Sequence, residues 1–224
     1  MTIRSKSMFF ASASFVMLNV GAASADGCYL FGTNGPDYLK APNNGCPYTI
    51  VGYAGNDTLI GNITPENFLF PGTNGGATTG KDKMTGGDSS GPDFFVWDEQ
   101  PGEPATITGD IITDFNVTKG DIIFLGGPCY YLDITCTWIG TSAFSGVAGQ
   151  VRFQPATVLD STSQVQADFT GSGEIDFVIN LTNGALIPED GEGISFTLPD
   201  HRVLGRVHNQ RRTRASAPEF YNLR

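Results

Sequence analysis

A nine-residue pattern recurs through the N-terminal half of the chain and limits what it can fold into. Gly32-Thr33-Asn34-Gly35-Pro36-Asp37-Tyr38-Leu39-Lys40 and Gly52-Tyr53-Ala54-Gly55-Asn56-Asp57-Thr58-Leu59-Ile60 both read G-x-x-G-x-D-x-U-x, where U is a large apolar residue. Gly61 to Leu69 follows as a degenerate copy, read here with Glu66 in the Asp slot and Phe68 in the apolar slot. Two longer units, Gly75 to Thr85 and Gly86 to Val96, match each other as G-G-x-x-x-G-x-D-x-U-x. Tandem self-similarity at short spacing is the mark of a solenoid, whose units bury their apolar faces only by stacking on one another.

The spacing carries chemistry as well as shape. Glycines let the chain turn sharply and bring backbone carbonyls into the turn. The x-U-x tail alternates, which sends U into a thin core and its neighbours outward. Two units make one coil, so every second turn stacks on the same edge. An Asp and several carbonyls from two stacked turns then form an all-oxygen cage, which suits Ca²⁺ better than a transition metal. The pattern is similar to the nonapeptide RTX repeat, a known calcium-binding β-roll signal. The expected fold is therefore all-β, with a parallel β-roll over about residues 27–97.

Charge supports a cation and excludes nucleic acid as partner. From Asp26 to Phe196 there are 21 acidic and 5 basic residues, a net −16. Such a segment repels itself unless cations neutralise it, and phosphate binding would need Lys and Arg. From Thr197 onward the balance reverses, with 6 basic and 2 acidic residues, and residues 197–224 read as a basic, disordered tail.

The first 25 residues read as a cleaved export signal. Arg4 and Lys6 precede the apolar run Met8 to Val20, and Ala23-Ser24-Ala25 is a small-x-small cleavage site. No later run reaches the roughly 18 apolar residues of a membrane span. An exported chain with an even cysteine count favours disulfides. Of three possible pairings, Cys28–Cys46 with Cys129–Cys136 is favoured, because Cys28 and Cys46 are separated by about one coil of two nonapeptides. These features place the protein outside the cytoplasm, secreted or periplasmic.

Beyond Val96 the repeat gives way to short apolar strands. Asp110 to Phe115, Gly120 to Leu125, Val151 to Phe153 and Phe177 to Leu181 read as strands, and Cys129 to Cys136 as a bracketed loop or hairpin. Here the chain resembles the C-terminal domain of serralysin-type M10 metallopeptidases. The resemblance runs over roughly residues 27–196. Its segments are Met84-Thr85-Gly86-Gly87, Gly91 to Trp97, Asp110 to Phe115, Lys119 to Phe124, Ala143 to Arg152 and Asp168 to Phe177. It implies a β-roll merging into a β-sandwich-like C-terminal half, and calcium as cofactor, with Asp37, Asp57, Asp82 and Asp93 as side-chain ligands. Gly32, Gly35, Gly52, Gly55, Gly80 and Gly91, together with Asn34, would shape the turns and supply carbonyls. The chain holds no H-E-x-x-H helix, so the family's zinc protease chemistry is not expected of it.

Two further acidic groups need a reading. Asp168 to Asp176 carries oxygen-bearing residues at alternate positions with glycine sixth, as in an EF-hand-like loop, or is a polar turn. Asp110, Asp114 and Asp121 do not form the facing pair a glycosidase needs and are read as ligands or turn residues. G-x-S-x-G is absent, and the two histidines, His201 and His208, lie in the tail. The expected function is a non-enzymatic, exported calcium-binding module with a matrix, adhesion or scaffolding role and an extracellular protein or polysaccharide partner. A polysaccharide-active enzyme, or a relic or partner of a secreted metalloprotease, is the alternative.

Overall fold

The computed structural model describes residues 27–72, 81–97, 109–158 and 160–197. The segment read as an export signal (residues 1–25), Gly80 and the stretch 198–224 lie outside the described residues. Nine short strands trace the coils: β1 (Cys28–Phe31), β2 (Tyr38–Lys40), β3 (Tyr48–Val51), β4 (Thr58–Ile60), β5 (Phe68–Phe70), β6 (Lys83–Thr85), β7 (Phe94–Val96), β8 (Asp110–Ile112) and β9 (Ile122–Phe124). Odd strands pair in parallel in one sheet, in the order β1-β3-β5-β7-β9, and even strands in the other, as β2-β4-β6-β8. This alternation is a β-roll, and each coil contributes one strand to each sheet.

The U positions meet between the sheets. Leu39, Leu59, Met84 and Ile112 project from the even strands toward Leu30, Ile50, Leu69, Phe95 and Ile123 on the odd ones, and all are buried. A strand of three residues gives the core one side chain, so no coil is stable alone. Stability comes from the stack.

Two readings of the pattern shift in register. In the degenerate copy it is Asn67, not Glu66, that stands in the Asp slot, and Leu69, not Phe68, that enters the core. Glu66 instead adopts φ 70°, a left-handed turn residue. The coil also continues past Trp97, since β8 and β9 extend both sheets without a glycine-rich turn before them. What carries the stack on is the aspartate where each strand begins, described below.

Both sheets grow into the C-terminal half. Strands β10 (Thr137–Trp138), β11 (Gln150–Gln154), β12 (Ser163–Asp168) and β13 (Phe177–Leu181) extend the even sheet, with β13 parallel to β8 and antiparallel pairs β11–β12 and β12–β13. Strand β14 (Ile194–Ser195) pairs with β9 and ends the odd sheet. The segment between Cys129 and Cys136 is not a hairpin. It begins in a helical turn, α1 (Gly126–Tyr131).

Both disulfides form with the favoured pairing: Cys28–Cys46 with Cα atoms 6.0 Å apart, and Cys129–Cys136 with Cα atoms 5.7 Å apart. The stacking assumed for the first is off by two residues. Cys28 is in register with Tyr48, and Cys46 lies in the turn before β3. The bridge therefore ties the first strand of the roll to the turn beneath it. Closing an 18-residue separation stabilises the fold by about 3 kcal/mol through the unfolded chain. The Cys28→Ser/Cys46→Ser double variant is expected to lose about that much in urea denaturation. An unchanged midpoint would show that the bridge is dispensable.

Candidate metal centre at the roll edges

The turns line up along two edges. Edge one carries the turns from odd to even strands, and its residues where the even strands begin are Asp37, Asp57 and Asp82, each just before its strand, and Asp110, the first residue of β8. Edge two carries the turns from even to odd strands, and its matching residues are Asn67, Asp93 and Asp121. Parallel register places each directly on the next.

One hydrogen-bond scheme serves both edges. Each side chain accepts the backbone N–H of its counterpart one coil earlier. On edge one, Asp37 N–H donates to Asp57 Oδ1 at 2.9 Å, Asp57 N–H to Asp82 Oδ1 at 2.6 Å and Asp82 N–H to Asp110 Oδ1 at 3.0 Å. On edge two, Tyr48 N–H donates to Asn67 Oδ1 at 3.1 Å, Asn67 N–H to Asp93 Oδ1 at 3.2 Å and Asp93 N–H to Asp121 Oδ1 at 2.9 Å. These bonds continue the ladder of each sheet one step into the turn. They explain why the repeat needs an oxygen acceptor at this one position, which Asn satisfies as well as Asp.

The second carboxylate oxygen distinguishes the edges. Asp110 Oδ2 accepts the Trp97 indole N–H at 3.0 Å, which closes the lower end of edge one. Asp37 Oδ2, at the upper end, accepts from the Thr33 amide and hydroxyl. Between them, Asp57 Oδ2 and Asp82 Oδ2 are buried with no hydrogen-bond partner. On edge two, Asp93 Oδ2 accepts from Ser89 Oγ at 3.1 Å and Asp121 Oδ2 from Asn116 N–H at 2.9 Å. Asp114 also reaches back from the turn after β8 to take the Gly86 and Gly87 amides, both at 2.9 Å.

Burial without a donor makes the charged form expensive. It pushes the Asp57 carboxyl up to about 7, against the pull of the Asp37 amide and with a push from the Asp37 charge. Burial also pushes Asp82 up to about 8, with the Asp110 charge adding to it. Asp93 and Asp110 rise to about 6, in both cases chiefly through burial. Burial likewise raises Asp121. At neutral pH the two orphaned oxygens of edge one therefore call for a proton or a cation.

The surroundings of those oxygens fit a hard cation. A side chain at Gly52 would run into both Asp57 Oδ2 and the Pro71 carbonyl, and one at Gly32 into Asp37 Oδ2 and the Gly52 carbonyl. Glycine is thus required where a carboxylate of one coil and a carbonyl of the next face the same small space. The donors are all oxygen, as Ca²⁺ prefers. Among the described residues no three His, Cys, Asp or Glu side chains converge on one point. A cation here would take most of its ligands from the backbone.

The other expected site residues are spread as follows. Gly35 and Gly55 stack on edge one, with the Gly55 α-carbon against the Gly35 peptide. Asn34 lies in the same turn as Gly35 and is exposed. Gly91 sits against Pro65 on edge two. Asp168 and Asp176 belong to neither edge. Both oxygens of Asp168 are taken by the loop's own amides, Gly171 and Ser172 on Oδ1 and Gly173 on Oδ2, while Asp176 Oδ2 accepts Thr170 N–H. This loop closes on itself. Asn67, Asp110 and Asp121 were missed as members of the stacked rows. Their common signal was an Asp or Asn directly before a short apolar run, without the repeat's glycine spacing.

The outer face of the even sheet differs in charge from the rest. Lys40, Lys83 and Arg152 stand on its outward positions, beside an amide chain in which Arg152 Nε donates to Gln166, Gln166 to Gln164 and Gln164 to Asn180. Thr85 and Thr113 bond to one another on the same face. No helix among the described residues is long and apolar enough to cross a membrane.

The chain matches no protein-family model and no curated protein. Solved structures resemble it, among them two subunits of the Azotobacter vinelandii mannuronan C5-epimerase. The AlgE6R3 subunit is 21% identical, covers 86% of this chain and 88% of its own, and superposes with a TM-score of 0.48. The AlgE6R2 subunit is 19% identical, covers 76% of this chain and 95% of its own, with a TM-score of 0.49.

Proposed function

We propose that the protein is an exported, non-enzymatic calcium-binding module. The observation that carries this reading is the pair of buried, unpartnered oxygens Asp57 Oδ2 and Asp82 Oδ2 on edge one. Asp57 with the Pro71 carbonyl and Asp37 with the Gly52 carbonyl would each offer an ion one carboxylate beside backbone oxygens, with Asp82 next in the row, and the ions supply the positive charge that lets the stacked carboxylates approach. The two disulfides suit an oxidising compartment, in keeping with the export signal read from residues 1–25. The carboxylates of the stacked rows hold coils together through Oδ1, which supports a structural role, a rigid module that orders on meeting extracellular calcium.

Calcium binds the folded coil and not the unfolded chain, so stability must rise with its free concentration. Thermal melts followed by circular dichroism in EDTA and in added CaCl₂ test this. Calcium is expected to raise the midpoint of the roll by on the order of 10 °C, since each kcal/mol moves a domain of this size by about 2–4 °C. Identical curves would end the calcium reading. Asp57→Ala should reduce the number of ions bound, while Asp168→Ala should leave it unchanged.

A second reading concerns the partner. A segment of net −16 presents Lys40, Lys83, Arg152 and an amide row on one flat sheet face. Such a face suits an acidic polysaccharide laid across the strands, consistent with a matrix or adhesion role. Retention on an immobilised polyuronate that is lost in Lys83→Glu, with no retention on a neutral glucan, is the expected result. Equal retention on both, or on neither, would remove it.

A further inference from the structure

We infer that the side-chain amide of Asn67 stands in for a cation on edge two, making this gap between coils independent of metal. The inference rests on the calcium reading above. Asn67 is fully buried. Its Nδ2 lies 2.7 Å from the Thr64 carbonyl, 2.8 Å from Asp93 Oδ1, 3.3 Å from the Asn62 carbonyl and 3.4 Å from the Gly86 carbonyl. An amide nitrogen has two hydrogens, so it cannot satisfy four acceptors with full hydrogen bonds. Four oxygens gathered around one point is instead a coordination-like arrangement.

The origin of those oxygens sharpens the point. Two come from the turn before β5, at Asn62 and Thr64, and two from the turn before β7, at Gly86 and Asp93. Three backbone carbonyls and one carboxylate from two stacked turns are a donor set a calcium ion would accept. Here the nitrogen occupies the place between them. The gap above is bridged in the same way. Asn62 Nδ2 donates to the Pro42 and Cys46 carbonyls, both at 2.9 Å, so the turns before β3 and β5 are also joined by an amide.

Edge one shows the opposite arrangement. Its orphaned oxygens, Asp57 Oδ2 and Asp82 Oδ2, have no hydrogen-bond donor among the described residues. On edge two the corresponding acceptors already have one. The same coil thus carries an acceptor-rich edge that calls for an external cation and an edge with its own neutral donor.

Asn67→Asp separates these possibilities. The substitution replaces the donor with an oxygen, so the gap would hold only acceptors. Native mass spectrometry of the full chain in CaCl₂ is expected to show one more calcium than the wild type. Thermal melts should show a midpoint in EDTA lower than the wild type by about 5 °C or more, recovered in calcium. An unchanged calcium count overturns the inference, as does a variant that stays unfolded at saturating calcium. The two proposals fail separately. A wild type that binds no calcium sinks the calcium reading, whereas a wild type that binds it beside an Asn67→Asp variant that gains none sinks only this one.

Discussion

Alanine at Gly61 is expected to collapse the roll, at a cost of about 4 kcal/mol or more. A Cβ there would overlap the Gly86 carbonyl oxygen of the next coil and sit 3.0 Å from Asn67 Cγ. Neither neighbour can yield. The carbonyl belongs to a stacked backbone, and Asn67 is fixed by bonds to both coils. Relief would require separating the turns before β5 and β7, which breaks the Asn67–Asp93 step of edge two. Gly35→Ala is the control, because its Cβ would meet only Thr33 Oγ1 at 3.9 Å. It should change stability by less than about 1 kcal/mol. Urea denaturation of both variants in calcium decides the matter. Equal stabilities would mean that the coils can move apart freely.

The metal-free roll should become less stable as pH rises, contrary to the usual behaviour of a carboxylate-rich protein. Burial lifts the folded carboxyls of Asp57 to about 7, Asp82 to about 8, and Asp93 and Asp110 to about 6. In the unfolded chain each titrates near its ordinary value of about 3.9. Between these values the folded state binds more protons than the unfolded one, so stability falls with rising pH. The contribution is fully present below about pH 4 and is lost as pH passes through about 6 to 8. In EDTA, the melting midpoint at pH 5 should exceed that at pH 8.5 by on the order of 10 °C. Calcium should narrow or reverse the difference, since it neutralises the same oxygens without a proton. A metal-free midpoint that is higher at pH 8.5 would contradict the burial of these groups.

The two predictions draw on different parts of the repeat, and those parts were not equally visible in the sequence. Leu39, Leu59, Met84 and Phe95 were legible as core residues because alternation in a three-residue strand allows only one inward position. Asp37, Asp57, Asp82 and Asp93 were legible because each stands directly before such a strand. The reading slipped where the turn changed length without changing chemistry. Asn67 accepts the amide above it as an Asp would, yet a pattern written for aspartate passed it over in favour of Glu66. Asp110 and Asp121 extend the rows without the glycines that marked the others.

From the sequence alone came the solenoid, its inward residues, the oxygen-bearing turns and the cysteine pairing, because each depends on neighbours within a few residues or one coil. The division between edges came only from the tertiary structure. Whether a second carboxylate oxygen finds a donor depends on how the turn around it folds and which group that fold brings within 3 Å or so of it. Trp97 serves Asp110, Ser89 serves Asp93 and Asn116 serves Asp121, while nothing serves Asp57 or Asp82. Residues up to 28 positions apart meet in these rows. The repeat states that an oxygen stands at each turn, and only the folded turns in their stack decide which oxygens are left for a cation.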